Sequence, residues 1–218
     1  PDVLTLLASE INGVQNPEWI GDQFTPIDPR FTEIVQLMTG LHRRGQLLWI
    51  EQAGESASFA LVLREKSEDD AKAVRRLEEL LGLRAQPTSR SVRTIRVVLG
   101  IGDGDPDTIM LRTRALFEIF QIAAAAIDVP EEHLESGLAP RLPPPGPAID
   151  QIHIRRSSGR PSNALVAVKH HGWWYRIDAT DARSKTTFRV LESIMTARIA
   201  DATSRSGQVP VLTVPVSR

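Results

Sequence analysis

Residues 163–178 read NALVAVKHHGWWYRID. Two apolar runs flank His170-His171-Gly172, and a glycine at that place supplies the backbone freedom of a tight hairpin turn. Strands joined by so short a turn are antiparallel, because parallel neighbours need a long crossover. The pattern recurs upstream, with strands predicted over 46–52 and 58–64 and joined by Ala53-Gly54-Glu55-Ser56-Ala57. Further strands are expected near 92–99, 151–156 and 209–216. In 92–99, Ile95, Val97 and Leu99 face one way and Arg96 the other. Pro210 and Pro215 confine the last strand to an edge or to one side of a ladder. Helices are interspersed among hairpins, so the expected class is α+β with a mainly antiparallel or mixed sheet, not a doubly wound parallel one.

Helix signals are local and specific. Residues 3–12 predict a short helix with Leu4, Leu7 and Ile11 on one face and Gly13 as its stop. Asp28-Pro29 is an N-cap followed by proline in the first helical position. That helix carries Phe31, Ile34, Val35, Met38 and Leu41 on one stripe, has His42, Arg43 and Arg44 in its last turn and ends at Gly45. Ser67 caps a helix over 68–81, with Asp70 placed for a capping box and Val74, Leu77 and Leu81 inward. Asp105-Pro106 opens the longest predicted helix, about 106–128, with Arg114, Glu118 and Gln121 as its polar stripe. Residues 117–127 are apolar nearly all round, which puts this helix at the centre of the core. Ser184 is expected to cap a helix over 185–202 with Phe188, Leu191, Ile194, Met195 and Ile199 inward. Five prolines between Pro140 and Pro147 read as an extended connector between a 1–139 part and a 148–218 part of one domain spanning 1–218.

The chain has 218 residues, 41% of them hydrophobic and 24% charged, which excludes a chain disordered throughout. No apolar run reaches the roughly 18–20 residues of a membrane helix. There is no cysteine, so disulfides, thiolate nucleophiles and cysteine-ligated metals are excluded for this segment. The chain begins at Pro1 and is read as a piece of a longer protein, with any export signal upstream. The formal net charge of -1 conceals an asymmetry. Residues 151–218 hold 11 basic and four acidic residues, a net of 11 - 4 = +7, and residues 1–150 hold 15 and 23, a net of 15 - 23 = -8. Two solvated faces of one body explain this more simply than a nucleic-acid patch.

Several constellations resemble reactive sites and fail on spacing. Gly100-Ile101-Gly102-Asp103-Gly104-Asp105 lacks the spacing of a dinucleotide loop and the Lys-Ser/Thr of a phosphate loop. Its acids, with Asp107, would repel phosphate. A calcium loop would need glycine and glutamate where Thr108 and Arg114 stand. His170 and His171, with His153 from a neighbouring strand, could approach a metal only if the turn bent them together, and an exposed turn is the simpler reading. Ser184-Lys185 is adjacent in sequence, whereas serine–lysine nucleophile pairs sit one helical turn apart. No catalytic, cofactor-binding or metal-binding residue is nominated, no cofactor is expected, and the reading leans against an enzyme.

Trp173-Trp174-Tyr175 places three large aromatics in a strand, with Trp174 opposite to the other two. With Arg155, Arg156, Arg160 and Lys169 nearby, Trp173 and Trp174 form the candidate interaction surface, suited to an acidic partner or to self-association. A helix over 31–44 followed by a hairpin also matches the back half of a winged helix, but its basic residues are confined to its ends, so nucleic acid is not the expected partner.

The C-terminal half resembles an uncharacterised family of Gram-negative bacterial lipoprotein-like proteins. The resemblance rests on Arg156-Ser157-Ser158, Arg160-Pro161, Ala167-Val168-Lys169, Gly172-Trp173-Trp174-Tyr175-Arg176-Ile177-Asp178, Ser184-Lys185-Thr186-Thr187-Phe188 and residues 210–216. Ile11-Asn12-Gly13, Arg112-Thr113-Arg114-Ala115-Leu116, Val129-Pro130-Glu131-Glu132-His133 and Gly137 fit it in order. The family often has two consecutive acids where Asp178 is followed by Ala179. The resemblance implies a periplasmic, outer-membrane-associated domain of a lipid-anchored protein, with the anchor outside this segment and no activity to carry over. The expected function is therefore non-enzymatic, exercised through protein contacts or self-assembly. A winged-helix-like nucleic-acid binder in the cytoplasm and an enzyme with an unrecognised site are the alternatives.

Overall fold

The computed structural model describes residues 2–16, 19–20, 23–24, 28–52, 58–85, 92–101, 105–142 and 152–206. The expected strand at 209–216, most of the proline connector, the link at 53–57 and the glycines of 102–104 lie outside the described residues.

The chain opens with α1 (Asp2–Leu7) and passes into β1 (Ala8–Ile11) and β2 (Val14–Gln15). The helix expected over 3–12 therefore ends early. Asn12 and Gly13 adopt positive φ of 47° and 75°, the Asn-Gly hairpin turn, and β1 is drawn into a sheet. Asn12 also fixes the turn to its surroundings. Its amide donates to the Leu81 carbonyl at 2.8 Å, and its Oδ1 accepts from the Met110 backbone at 2.6 Å.

Two short strands, β3 (Trp19–Ile20) and β4 (Gln23–Phe24), pair with each other. Next comes α2 (Pro29–Arg43), capped as expected: Asp28 Oδ1 accepts from the Arg30 amide at 2.9 Å. Its whole expected stripe, Phe31, Ile34, Val35, Met38 and Leu41, is buried. The hairpin follows as β5 (Leu47–Gln52) and β6 (Ser58–Arg64), then α3 (Glu68–Leu80) with Ser67 Oγ accepting from the Asp70 amide at 3.1 Å. The Asp70 carboxylate meets Arg44 Nε at 2.8 Å and joins α3 to the end of α2.

After β7 (Val92–Leu99) the expected long helix is overturned. Residues Thr108–Thr113 form strand β8, and the helix α4 spans only Leu116–Ala125. Ile109 is buried beside Val97 of β7, and the pairing of the two segments holds this stretch as a strand. Arg114 thus precedes the helix, and Glu118 turns back to accept from the Ala115 amide at 2.8 Å. β8 runs parallel to β7, and the chain returns within residues 100–107, shorter than a usual parallel crossover.

The main sheet is six-stranded and mixed, in the order β2-β1-β8-β7-β6-β5. One face is covered by α2 and α3, with Leu61, Leu63, Ile95, Val97, Ile109, Leu77 and Val74 in one cluster. The chain continues through α5 (Glu131–Glu135), β9 (Arg155–Ser157), β10 (Ala164–His170), β11 (Trp173–Asp178) and α6 (Ala182–Ser206), and a second cluster joins α1, α4, β10, β11 and α6. Its interior holds Ile119, Ile122, Ile152, Ile177 and Leu191. The segment α1 serves both cores: Leu4 packs on the first, and Leu6 and Leu7 on the second. The architecture is α+β, and no helix among the described residues is long and apolar enough to cross a membrane.

Candidate interaction surface

The hairpin read from residues 163–178 is the heart of a three-stranded antiparallel sheet ordered β10-β11-β9. His171 and Gly172 make the turn with φ of 45° and 86°. The registers assign every side chain to a face. Lys169, Trp174 and Ser157 stand in one row, and Ala167, Arg176 and Arg155 in the next row of the same face. His170 and Trp173, then Val168, Tyr175 and Arg156, occupy the other face.

That second face turns toward the core. Val166 and Ile177 pack with Phe188 and Leu191 of α6 and Ile119 of α4. An apolar groove of about 350 Å³ continues this seam between Phe120, Val168, Tyr175 and Phe188. Burial there raises the Tyr175 phenol above its ordinary pKa. Trp173 donates its indole N–H to Glu132 Oε1 at 2.8 Å, and the Arg156 guanidinium lies 5.2 Å from the Trp173 ring centroid. Arg156 also meets Asp128 at 3.2 Å. Two of the six candidate residues therefore bind the acidic side of this same molecule, and part of the +7/-8 asymmetry is satisfied within the monomer.

The first face is different. No helix among the described residues packs on it. Arg160 stacks over Trp174 at 5.6 Å. Arg155, Arg160 and Lys169 are exposed, and Trp174 and Arg176 are half-buried. Arg176 escaped the sequence reading, although its place two residues beyond Trp174 on the strand marks it for the same face. Asp178 shares the face and is held below the ordinary carboxylate range, first by the Thr180 backbone amide at 2.9 Å and next by the Thr180 hydroxyl at 2.7 Å, with Arg176 and Arg155 adding. Asp128 and Glu132 carried no signal as partners of this sheet, because they sit on and beside α5, a helix the sequence reading lacked.

The residues considered for chemistry fall into structural places. Ser184 is not the cap of α6. Asp181 takes that role, its Oδ1 accepting from the Ser184 amide at 3.1 Å. Ser184 lies within the first turn, fully buried; its hydroxyl donates to Asp181 Oδ2 at 2.7 Å and accepts from the His153 amide at 2.8 Å. Lys185 Nζ donates to the Ala179 carbonyl at 3.0 Å. The Ser184 hydroxyl holds Asp181 below the ordinary carboxylate range, and burial opposes it. His153 stands at 3.6 Å from Asp181, away from the turn. The turn instead gathers His170 and His171, ring centroids 4.2 Å apart, with His133 of α5 at 6.1 Å from His171. Among the described residues no group of histidine and acidic side chains is arranged to hold a metal ion.

Comparison of the chain with protein-family models, curated proteins and solved structures finds no match.

Proposed function

We propose that this chain is a non-enzymatic interaction domain that takes an acidic protein partner on the open face of its three-stranded sheet. One observation carries the reading: Arg155, Arg160, Lys169 and Arg176 surround Trp174 on a face with no helix over it among the described residues. A large aromatic supplies contact area at the centre of an interface, and flanking cations steer and orient an acidic partner. The pairing of β6 with β7 builds the β5–β6 hairpin into the six-stranded sheet and leaves no free wing, which favours this reading over the winged-helix alternative. Its site in the cell envelope, as the periplasmic part of a lipid-anchored protein, rests on the family resemblance.

The test is capture from envelope extracts at low salt with the chain and with a Trp174→Ala/Arg155→Glu variant. An acidic protein retained by the first and lost by the second is the expected result. Equal capture by both, or recovery of the full-length protein only in the cytosolic fraction, contradicts the corresponding part of the proposal. Self-association would appear as a salt-sensitive oligomer in sedimentation.

A further inference from the structure

Among the described residues, the helices packed on the six-stranded sheet, α2 and α3, lie on one face. Leu61, Ile95, Val97 and Ile109 lie under α2 and α3. Side chains one residue along each strand therefore point to the opposite face. The registers form continuous rows there: Ile50 beside Ala60, Arg96 and Thr108, and Leu48 beside Val62 and Thr94. Val98 and Met110 form a further row, and Arg64 stands opposite Val92.

A sheet face left to water normally reads polar. This one does not. Leu48, Val98 and Met110 are half-buried, Ile50 is 38% exposed and Val92 49%. Ala60, fully buried between Ile50 and Arg96, leaves a shallow dip in the middle of the face. Charge on the face is mostly positive. Arg64 and Arg96 have no carboxylate partner among the described residues, and Arg96 is exposed. The one acid among the described residues of the face, Glu10, is held by Gln15 Nε2 at 2.7 Å and lies 3.8 Å from Arg112.

We propose that this face docks an acidic amphipathic helix of a partner protein. Its apolar side would lie along Ile50, Val98 and Met110, which are all partly exposed, and carboxylates on its flanks would reach Arg64 and Arg96. Helices cover sheet faces in this way within domains, as α2 and α3 do on the opposite side. Charge selects the occupant. A second copy packed face to face would bring Arg96 and Arg64 against like charges, which disfavours self-pairing. The surface is separate from the open face around Trp174 and does not rest on the proposal made for it.

The probe is a labelled helical peptide of about five turns with leucine on one face and glutamate on its flanks, and a second with lysine in place of glutamate. Anisotropy titrations use the whole chain and its Arg96→Glu, Ile50→Asp and Arg155→Glu/Lys169→Glu variants. The expected result is binding of the glutamate peptide alone. Arg96→Glu and Ile50→Asp should each weaken it by about tenfold or more, while Arg155→Glu/Lys169→Glu removes only the weaker, salt-sensitive component held by the open face around Trp174. Arg96 is exposed, so its substitution leaves the core intact. Equal binding of both peptides, no binding at all, or a loss that follows Arg155→Glu/Lys169→Glu instead overturns the proposal. An oligomer that Ile50→Asp dissociates would assign the face to a second copy and overturn it equally.

Discussion

The Glu78 carboxylate is paired with the Arg93 guanidinium between α3 and β7, with both side chains buried. Taking one charge out of such a pair leaves the other without compensation in a poorly solvated site. Glu78→Gln should therefore destabilise the fold by about 3–5 kcal/mol. The double replacement Glu78→Leu/Arg93→Leu should cost much less, since two apolar residues leave no orphaned charge. Urea unfolding of the three proteins checks this, and equal losses in the single and double variants would contradict it.

The cap of α6 offers a second expectation. Asp181→Ala removes an N-cap and should cost about 1 kcal/mol. Ser184→Ala should cost about 1–3 kcal/mol, because the amide of His153 then loses its acceptor in a part-buried place. Thermal or urea midpoints measure both. Neither change should alter partner binding while the fold persists, and a binding loss with an unchanged midpoint would give Ser184 a functional role.

Acid should act through the same group. The Asp181 pKa is lowered in the folded state, chiefly by the Ser184 hydroxyl. The unfolded chain then binds more protons between that lowered value and the ordinary one near about 3.9. Stability from this site is complete above the ordinary value and disappears as pH falls through the folded one. Asp181→Asn should therefore flatten the stability profile below about pH 5. Parallel profiles for the parent and variant would show that Asp181 does not contribute to it.

Because α1 feeds both cores, the chain should unfold as one unit. Leu6 is 2% exposed and packs with Ile119, Ile177 and Leu191. Leu6→Ala should cost about 2–5 kcal/mol and lower a single transition. Two resolved transitions in calorimetry, with residues 1–138 stable by themselves, would mean that the two cores fold independently.

Capping chemistry and turn glycines were the most legible features. Asp28-Pro29 and Ser67 start their helices where expected, and the hairpins of β5–β6 and β10–β11 lie where apolar runs flank their turns. The errors share a cause. Gly13 read as a helix stop, though Asn12-Gly13 is equally a hairpin turn, and only the pairing of β1 with β8 decides between them. Pro106 read as a helix start for the same reason: Ile109 to Thr113 are drawn into the sheet beside β7, a non-local gain that local propensity does not register. The faces of the Trp-Trp-Tyr strand were legible from alternation. Which face would be covered was not, since it depends on where α4 and α6 pack.

The central claim, that the open face around Trp174 binds an acidic partner, is met most directly by titrating a labelled poly-glutamate peptide into the whole chain. Anisotropy is read at low and high salt for the parent, Arg155→Glu/Lys169→Glu, and Arg96→Glu as a control on the other sheet. The account predicts binding at low salt that weakens as exposed charges are screened beyond about 8 Å. It also predicts loss of that binding in Arg155→Glu/Lys169→Glu and its retention in Arg96→Glu. Absence of binding at low salt, or equal binding by the parent and Arg155→Glu/Lys169→Glu, would contradict it.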